Sequence, residues 1–170
     1  RSRIAALAEL QRVMDVRPGE ELAHYQSLIN ELKDYKRQLA EFQRAQAAAS
    51  IENLVKQAKP FQGTNLLATE VGARDINALR ELADRFRDKL GSAVVALGAV
   101  FEDKPFVVIA VTPDLVARGV HAGKLAGAAA QQMGGGGGGK PYMAQAGGKD
   151  SSKLAEALAT VIRLAEETLS

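Results

Sequence analysis

The chain reads as an α/β (α+β) protein: a helical coiled-coil stalk over residues 1–59, then a globular domain over residues 60–170 whose mixed β-sheet is flanked by helices. Three observations predict this. Residues 20–59 contain neither Pro nor Gly and carry apolar residues at steps of three and four. Beyond Pro60 the pattern changes to β-rich runs alternating with helix-period runs. Two of those runs are almost continuously apolar, as expected of strands covered on both faces.

The first element is a short helix. Ile4, Leu7, Ala8, Leu10, Val13 and Met14 recur at helical spacing until Pro18-Gly19 interrupts them. The long helix follows, with Tyr25, Leu32, Leu39 and Gln46 in one row of a heptad seam and Leu28, Tyr35, Phe42 and Ala49 in the other. Each buried Leu or Phe in such a seam contributes about 1.5–3 kcal/mol, and only if another helix covers it. The first helix, folded back, can cover the first half. A helical hairpin is therefore one expectation for the stalk and a dimeric coiled coil the other. Lys59-Pro60 is expected to end the long helix.

In the globular part, Thr64 to Val71 reads as a strand and Asp75 as the N-cap of a helix faced by Ile76, Leu79, Leu82, Ala83, Phe86 and Leu90. Ser92 to Phe101 and Pro105 to Thr112 form a hairpin around Glu102-Asp103-Lys104. Pro113-Asp114 opens a turn, and Val120 to Met133 is a helix of small residues able to pack closely. After the glycine run come a short strand over Tyr142 to Ala146 and a last helix over Lys153 to Leu169, capped by Ser151 or Ser152. The predicted order is β-α-β-β-α-β-α.

With 170 residues and 46% hydrophobic content the chain can bury a core, and no run is apolar and long enough to span a membrane. It begins with Arg1, inside an amphipathic pattern, and so reads as a fragment of a longer protein. The absence of Cys and the presence of only His24 and His121 exclude disulfides, thiolate nucleophiles and cysteine or histidine zinc clusters. The net charge of +2 implies no partner by itself, but its distribution does. From Arg118 to Lys153 the charges are Arg118, Lys124, Lys140, Lys149 and Lys153 against Asp150 alone, and the excess coincides with the glycines.

The run Gly134 to Gly139 followed by Lys140 imitates two nucleotide motifs. As a P-loop it lacks the magnesium-ligating Ser or Thr, since Pro141 stands there. As a GxGxxG fingerprint it matches only because any glycine run does, and the expected order of helix, loop and short strand is wrong for both. A flexible linker would not need the Pro141, Met143, Gln145 and Gly147-Gly148 that follow at once. Glycines without Cβ instead let backbone amides approach a phosphate, with Lys140 and Lys149 adding charge at the two ends. Such a site holds a nucleic-acid backbone without reading bases. The candidate RNA-binding residues are Lys124, Gly138, Gly139, Lys140, Gln145 and Lys149. His121 and Tyr142 are weighed alongside them, the former more plainly a capping or solvated histidine, the latter either stacked on a base or packed on the sheet.

The segment Gly134 to Asp150, with Lys140, Pro141, Met143-Ala144-Gln145 and Gly147-Gly148, resembles the closing signature of alanyl-tRNA synthetases, and Ala122-Gly123-Lys124-Leu125 and the leading coiled coil agree. The resemblance covers essentially the whole chain. It implies a non-catalytic C-terminal domain that contacts the outer corner of tRNA and helps one tRNA serve aminoacylation and editing. It also implies a cytoplasmic parent enzyme, an alanine-tRNA ligase whose ATP, magnesium and zinc are bound by catalytic and editing domains outside this fragment. A homodimer through the stalk residues Tyr25, Leu28, Leu32, Tyr35, Leu39 and Phe42 is compatible with it. Many members carry Lys where this chain has Gly136, and often Arg and Asp where Lys140 and Tyr142 stand. A related module accompanies phosphoesterases of the DHH class, whose Asp-His-His motif this chain lacks. A pure assembly module would not need the basic stretch from Arg118 to Lys149.

Overall fold

The computed structural model describes residues 2–170, apart from the side chains of residues 2, 3, 7, 10 and 43–50. The chain divides into two compact units, Arg1–Ala49 and Ser50–Ser170.

The first unit holds α1 (Ser2–Met14) and most of α2 (Glu21–Val55). Between them Asp15 and Gly19 take positive φ angles of 51° and 95°. The Glu21 carboxylate closes the turn by accepting from the Gly19 N–H at 2.8 Å and from the Gln11 side chain. The Gln11 amide holds this carboxyl below its usual range. At 1.5 Å per residue α2 is about 52 Å long. The helical period of the seam is as predicted, but its cover is not: Tyr25, Leu28, Leu32, Tyr35, Leu39 and Phe42 are 44–65% exposed, and Ile4 and Val13 of α1 are exposed as well. Among the described residues the first half of the seam is left exposed rather than covered by the first helix. Gln46, Ala49, Leu7 and Leu10, also assigned to apolar rows, have side chains outside the description.

The second unit is built on a six-stranded mixed sheet in the order β1-β2-β3-β4-β6-β5, comprising β1 (Lys59–Phe61), β2 (Thr64–Glu70), β3 (Ala93–Phe101), β4 (Lys104–Val111), β5 (Gly136–Gly139) and β6 (Met143–Gly147). Only β2 and β3 run parallel, joined by the crossover helix α3 (Ile76–Leu90); the other pairs are antiparallel. Asp75 caps α3, its carboxylate accepting from the Ala78 N–H at 2.8 Å. Glu102 and Asp103, at φ 49° and 62°, form the two-residue turn of the β3–β4 hairpin.

Alternation along the central strands separates two cores. Val94 and Ala96 of β3 with Val107, Ile109 and Val111 of β4 face α5 (Ala122–Gln132) and α6 (Leu154–Leu169). Val95, Leu97 and Ala99 with Val108 and Ala110 face α3, whose Leu79, Ala83 and Phe86 are fully buried, and Ile51 from the last turns of α2 joins that core. Both faces of β3 and β4 are thus covered by helices, as their apolar runs predict.

Several elements differ from the sequence reading. The long helix ends at Val55, and Lys59–Phe61 is an edge strand rather than the helix terminus. Pro113-Asp114 opens α4 (Pro113–Ala117), a short helix with Pro in its first turn, rather than a turn alone. There the Ser92 hydroxyl donates to Asp114 and holds its carboxyl below the usual range. α6 has no side-chain cap of its own: Asp150, rather than either serine, caps the 3-10 turn over Ser151–Lys153 that leads into it, accepting from the Ser152 N–H at 3.0 Å. The Glu156 carboxylate beside Lys153 raises that ammonium's pKa. The glycine run is itself a strand, so the order is helix, strand, strand rather than helix, loop, strand.

Candidate nucleic-acid interface

The glycine strand β5 is the outermost strand of the sheet, paired only with β6, Gly136 opposite Gly147 and Gly139 opposite Ala144. Side chains alternate across a strand, and here the alternation divides the glycines into two sets. A Cβ at Gly135 would lie 1.9 Å from the Gly147 carbonyl oxygen, at Gly137 2.6 Å from the Ala126 carbonyl oxygen, and at Gly139 2.7 Å from the Ala144 Cα. A Cβ at Gly136 or Gly138 would meet nothing within 4 Å. Gly137 is required by the close approach of α5, and Gly135 and Gly139 by the backbone of β6 and of Gly148 just beyond it. The outward set is required by nothing in the fold.

Short hydrogen bonds fix this ribbon. Gly135 N–H donates to the Ala130 carbonyl at 2.9 Å, Lys140 N–H to Met143 at 2.9 Å, and Ala122 N–H to Pro141 at 2.8 Å. The last ties the hairpin turn to the start of α5. Beyond β6, the Lys149 N–H donates to the Met133 carbonyl at 2.9 Å, so Lys140 and Lys149 stand at opposite ends of the ribbon with exposed side chains. His121 is the N-cap of α5, its Nδ1 accepting from Gly123 N–H at 3.1 Å, which gives it the capping role.

On the face of the sheet that carries α3, an open groove of about 500 Å³ is lined by Gly138, Gly139, Lys140, Tyr142 and Gln145 together with Arg80 and Asp84 of α3. Gln145 lies opposite Gly138 in the ladder and accepts from the Arg80 guanidinium at 2.6 Å. The Lys140 ammonium sits 5.8 Å from the centre of the half-exposed Tyr142 ring, within cation–π range. Asp84 accepts from Arg87 at 2.7 Å, which offsets its charge at the groove wall.

Of the six candidate RNA-binding residues, four therefore meet in one groove: Gly138, Gly139, Lys140 and Gln145. The exposed Lys124 projects from the first turn of α5 and Lys149 from beyond the far end of β6; neither lines it. Sequence reasoning missed Arg80 and Asp84. Their signal was present, since both lie off the apolar stripe of α3, but only the strand order places them beside residues 138–145. Among the described residues no group of three His, Cys, Asp or Glu is placed to hold a metal, and no helix is long and apolar enough to cross a membrane.

Comparison with known proteins places the chain. The DHHA1 domain family matches residues 63–167. The alanine–tRNA ligase of Dehalococcoides mccartyi strain BAV1 is 42% identical over 156 residues, covering 92% of this chain and 18% of that protein. That of Bacillus subtilis strain 168 is 44% identical over 135 residues, 77% of this chain and 15% of the relative. The chain thus spans less than a fifth of the length of these curated relatives. Among solved structures, the C-Ala domain from Aquifex aeolicus alanyl-tRNA synthetase superposes with a TM-score of 0.56 at 29% identity, covering 66% of this chain and 97% of that one. The chain belongs to the DHHA1 domain family and is homologous to the C-Ala region of alanyl-tRNA synthetase.

Proposed function

We propose that the chain is the tRNA-gripping C-terminal module of a cytoplasmic alanine-tRNA ligase. It contacts the elbow of the L-shaped tRNA and supports aminoacylation and editing by catalytic and editing domains elsewhere in the parent. On this reading the fragment performs no chemistry, and the parent's ATP, magnesium and zinc belong to those other domains. The observation that carries the reading is the edge ribbon of β5, whose outward glycines serve no packing need and stand between Lys140 and Lys149. A bare strand flanked by cations admits a phosphate backbone closely and is indifferent to base sequence. Recognition of RNA by shape suits an elbow common to many tRNAs. Lys124 would add a contact from the α5 side.

The test is binding to folded tRNA across a salt series, with unstructured RNA of equal length as competitor. Saturable binding that prefers the folded RNA and weakens with salt is expected, and Lys140→Ala should reduce the slope of log affinity against log salt by about one. No preference for folded tRNA sinks the elbow reading; an unchanged slope in the variant removes Lys140 from the interface.

The exposed seam of α2 favours a second role, homodimerisation through the stalk. Leu32→Lys places a charge in the middle of the apolar rows and is expected to convert a dimer to a monomer in sedimentation or light scattering. Unchanged mass and helicity in that variant would eliminate the seam as an assembly surface.

A further inference from the structure

Building on the RNA-binding reading, we infer that the RNA backbone crosses the glycine ribbon on its α3 face, where Arg80 is a second phosphate ligand held in place by Gln145. Three observations converge on that face. The opposite face of β5 is filled by α5, so close that a Cβ at Gly137 would collide with the Ala126 carbonyl oxygen. The α3 face is open at Gly136 and Gly138, and the groove there runs from the ribbon to the side of α3.

Among the described residues most basic neighbours of Arg80 on and near α3 are paired with carboxylates, whereas Arg80 and the outward-lying Arg85 are not, and of these two only Arg80 lines the groove. Arg74 pairs with Asp75, Arg87 with Asp84 and Asp88, and Lys89 with Glu52. Among the described residues no carboxylate pairs with Arg80, and its one side-chain bond runs to the amide oxygen of Gln145 across the groove. A guanidinium carries five donors in a planar fork suited to bidentate phosphate contact, so one bond to a neutral amide orients it while leaving donors and charge free. With Asp84 paired to Arg87, the groove presents Arg80 from one wall and Lys140 from the other beside the bare backbone of Gly138 and Gly139. Gln145 is then a positioning residue.

The experiment compares Arg80→Ala, Gln145→Ala, Lys140→Ala and Arg85→Ala in the full 170-residue chain, measuring affinity for folded tRNA across salt. Arg85 is exposed on the same helix but lines no part of the groove. Arg80→Ala is expected to lower affinity about fivefold to tenfold near 0.1 M salt and to flatten the salt slope by about one, as loss of one phosphate contact requires. Gln145→Ala should lower affinity with little change in slope, because the charge remains but is no longer aimed. Arg85→Ala should match the unsubstituted chain. The inference is overturned if Arg80→Ala binds like the unsubstituted chain while Lys140→Ala loses affinity, or if Arg85→Ala loses as much as Arg80→Ala. Failure of the unsubstituted chain to prefer folded tRNA would instead bring down the underlying reading.

Discussion

Alanine substitution along the glycine run is expected to give an alternating stability pattern, with Gly135→Ala and Gly137→Ala destabilising and Gly136→Ala and Gly138→Ala neutral or slightly stabilising. The inward positions place the new methyl within 1.9 Å of the Gly147 oxygen and 2.6 Å of the Ala126 oxygen. Both obstacles are backbone, so neither can swing aside as a side-chain tip could. Overpacking of this kind costs about 1–3 kcal/mol, with the high end expected at Gly135. The outward positions meet nothing within 4 Å. There a methyl group removes some freedom from the unfolded chain, worth about 0.4–1 kcal/mol in favour of folding. In a domain of this size each kcal/mol displaces Tm by roughly 2–8 °C, so thermal unfolding of the four variants resolves the pattern. Equal melting temperatures across the run would refute the division into inward and outward faces.

Phe86→Ala should have the largest effect on stability, about 3–5 kcal/mol against a typical total of about 5–15. Phe86 is fully buried on the inner face of α3 within the core formed by Val95, Leu97, Val108 and Ala110. Its removal leaves a cavity beneath the helix that carries Arg80 and Asp84. Denaturant midpoints should fall sharply, and RNA affinity should fall with them if α3 supplies a wall of the interface. Arg80→Ala, by contrast, alters an exposed side chain and should leave the midpoint near that of the parent. Both variants losing stability equally would contradict the burial assigned to these two residues.

Much of this fold was legible because periodicity reports burial. Leu79, Ala83 and Phe86 recur on one stripe and are the residues that α3 buries, and the unbroken apolarity of residues 93–99 and 107–111 marked strands covered twice. Glycine reports nothing of the kind. With no side chain, the run 134–139 has neither a hydrophobic period nor a β-propensity, so its strand character came only from pairing with residues 143–147 and from the approach of α5. The same limit applied to the site. Lys140 and Gln145 are close in sequence to the glycines, whereas Arg80 reaches them only because α3 packs on the side of the sheet where β6 presents Gln145. Edge strand β1 was hidden for a related reason: three residues are too short to show alternation, and Pro60 reads as a terminator.

The division of labour along β5 separates two quantities that proteins usually must adjust together. Positions 135, 137 and 139 are held as glycine by backbone pressed against them, but a Cβ at 136 or 138 meets no neighbour. A lysine at 136 is expected to strengthen the hold on a polyanion, and a larger group at 138, opposite Gln145, to loosen it, neither Cβ meeting an obstacle in the fold. On the proposed RNA-binding reading, the strand is a dial for how long RNA stays bound, set one residue at a time while the scaffold underneath keeps its shape.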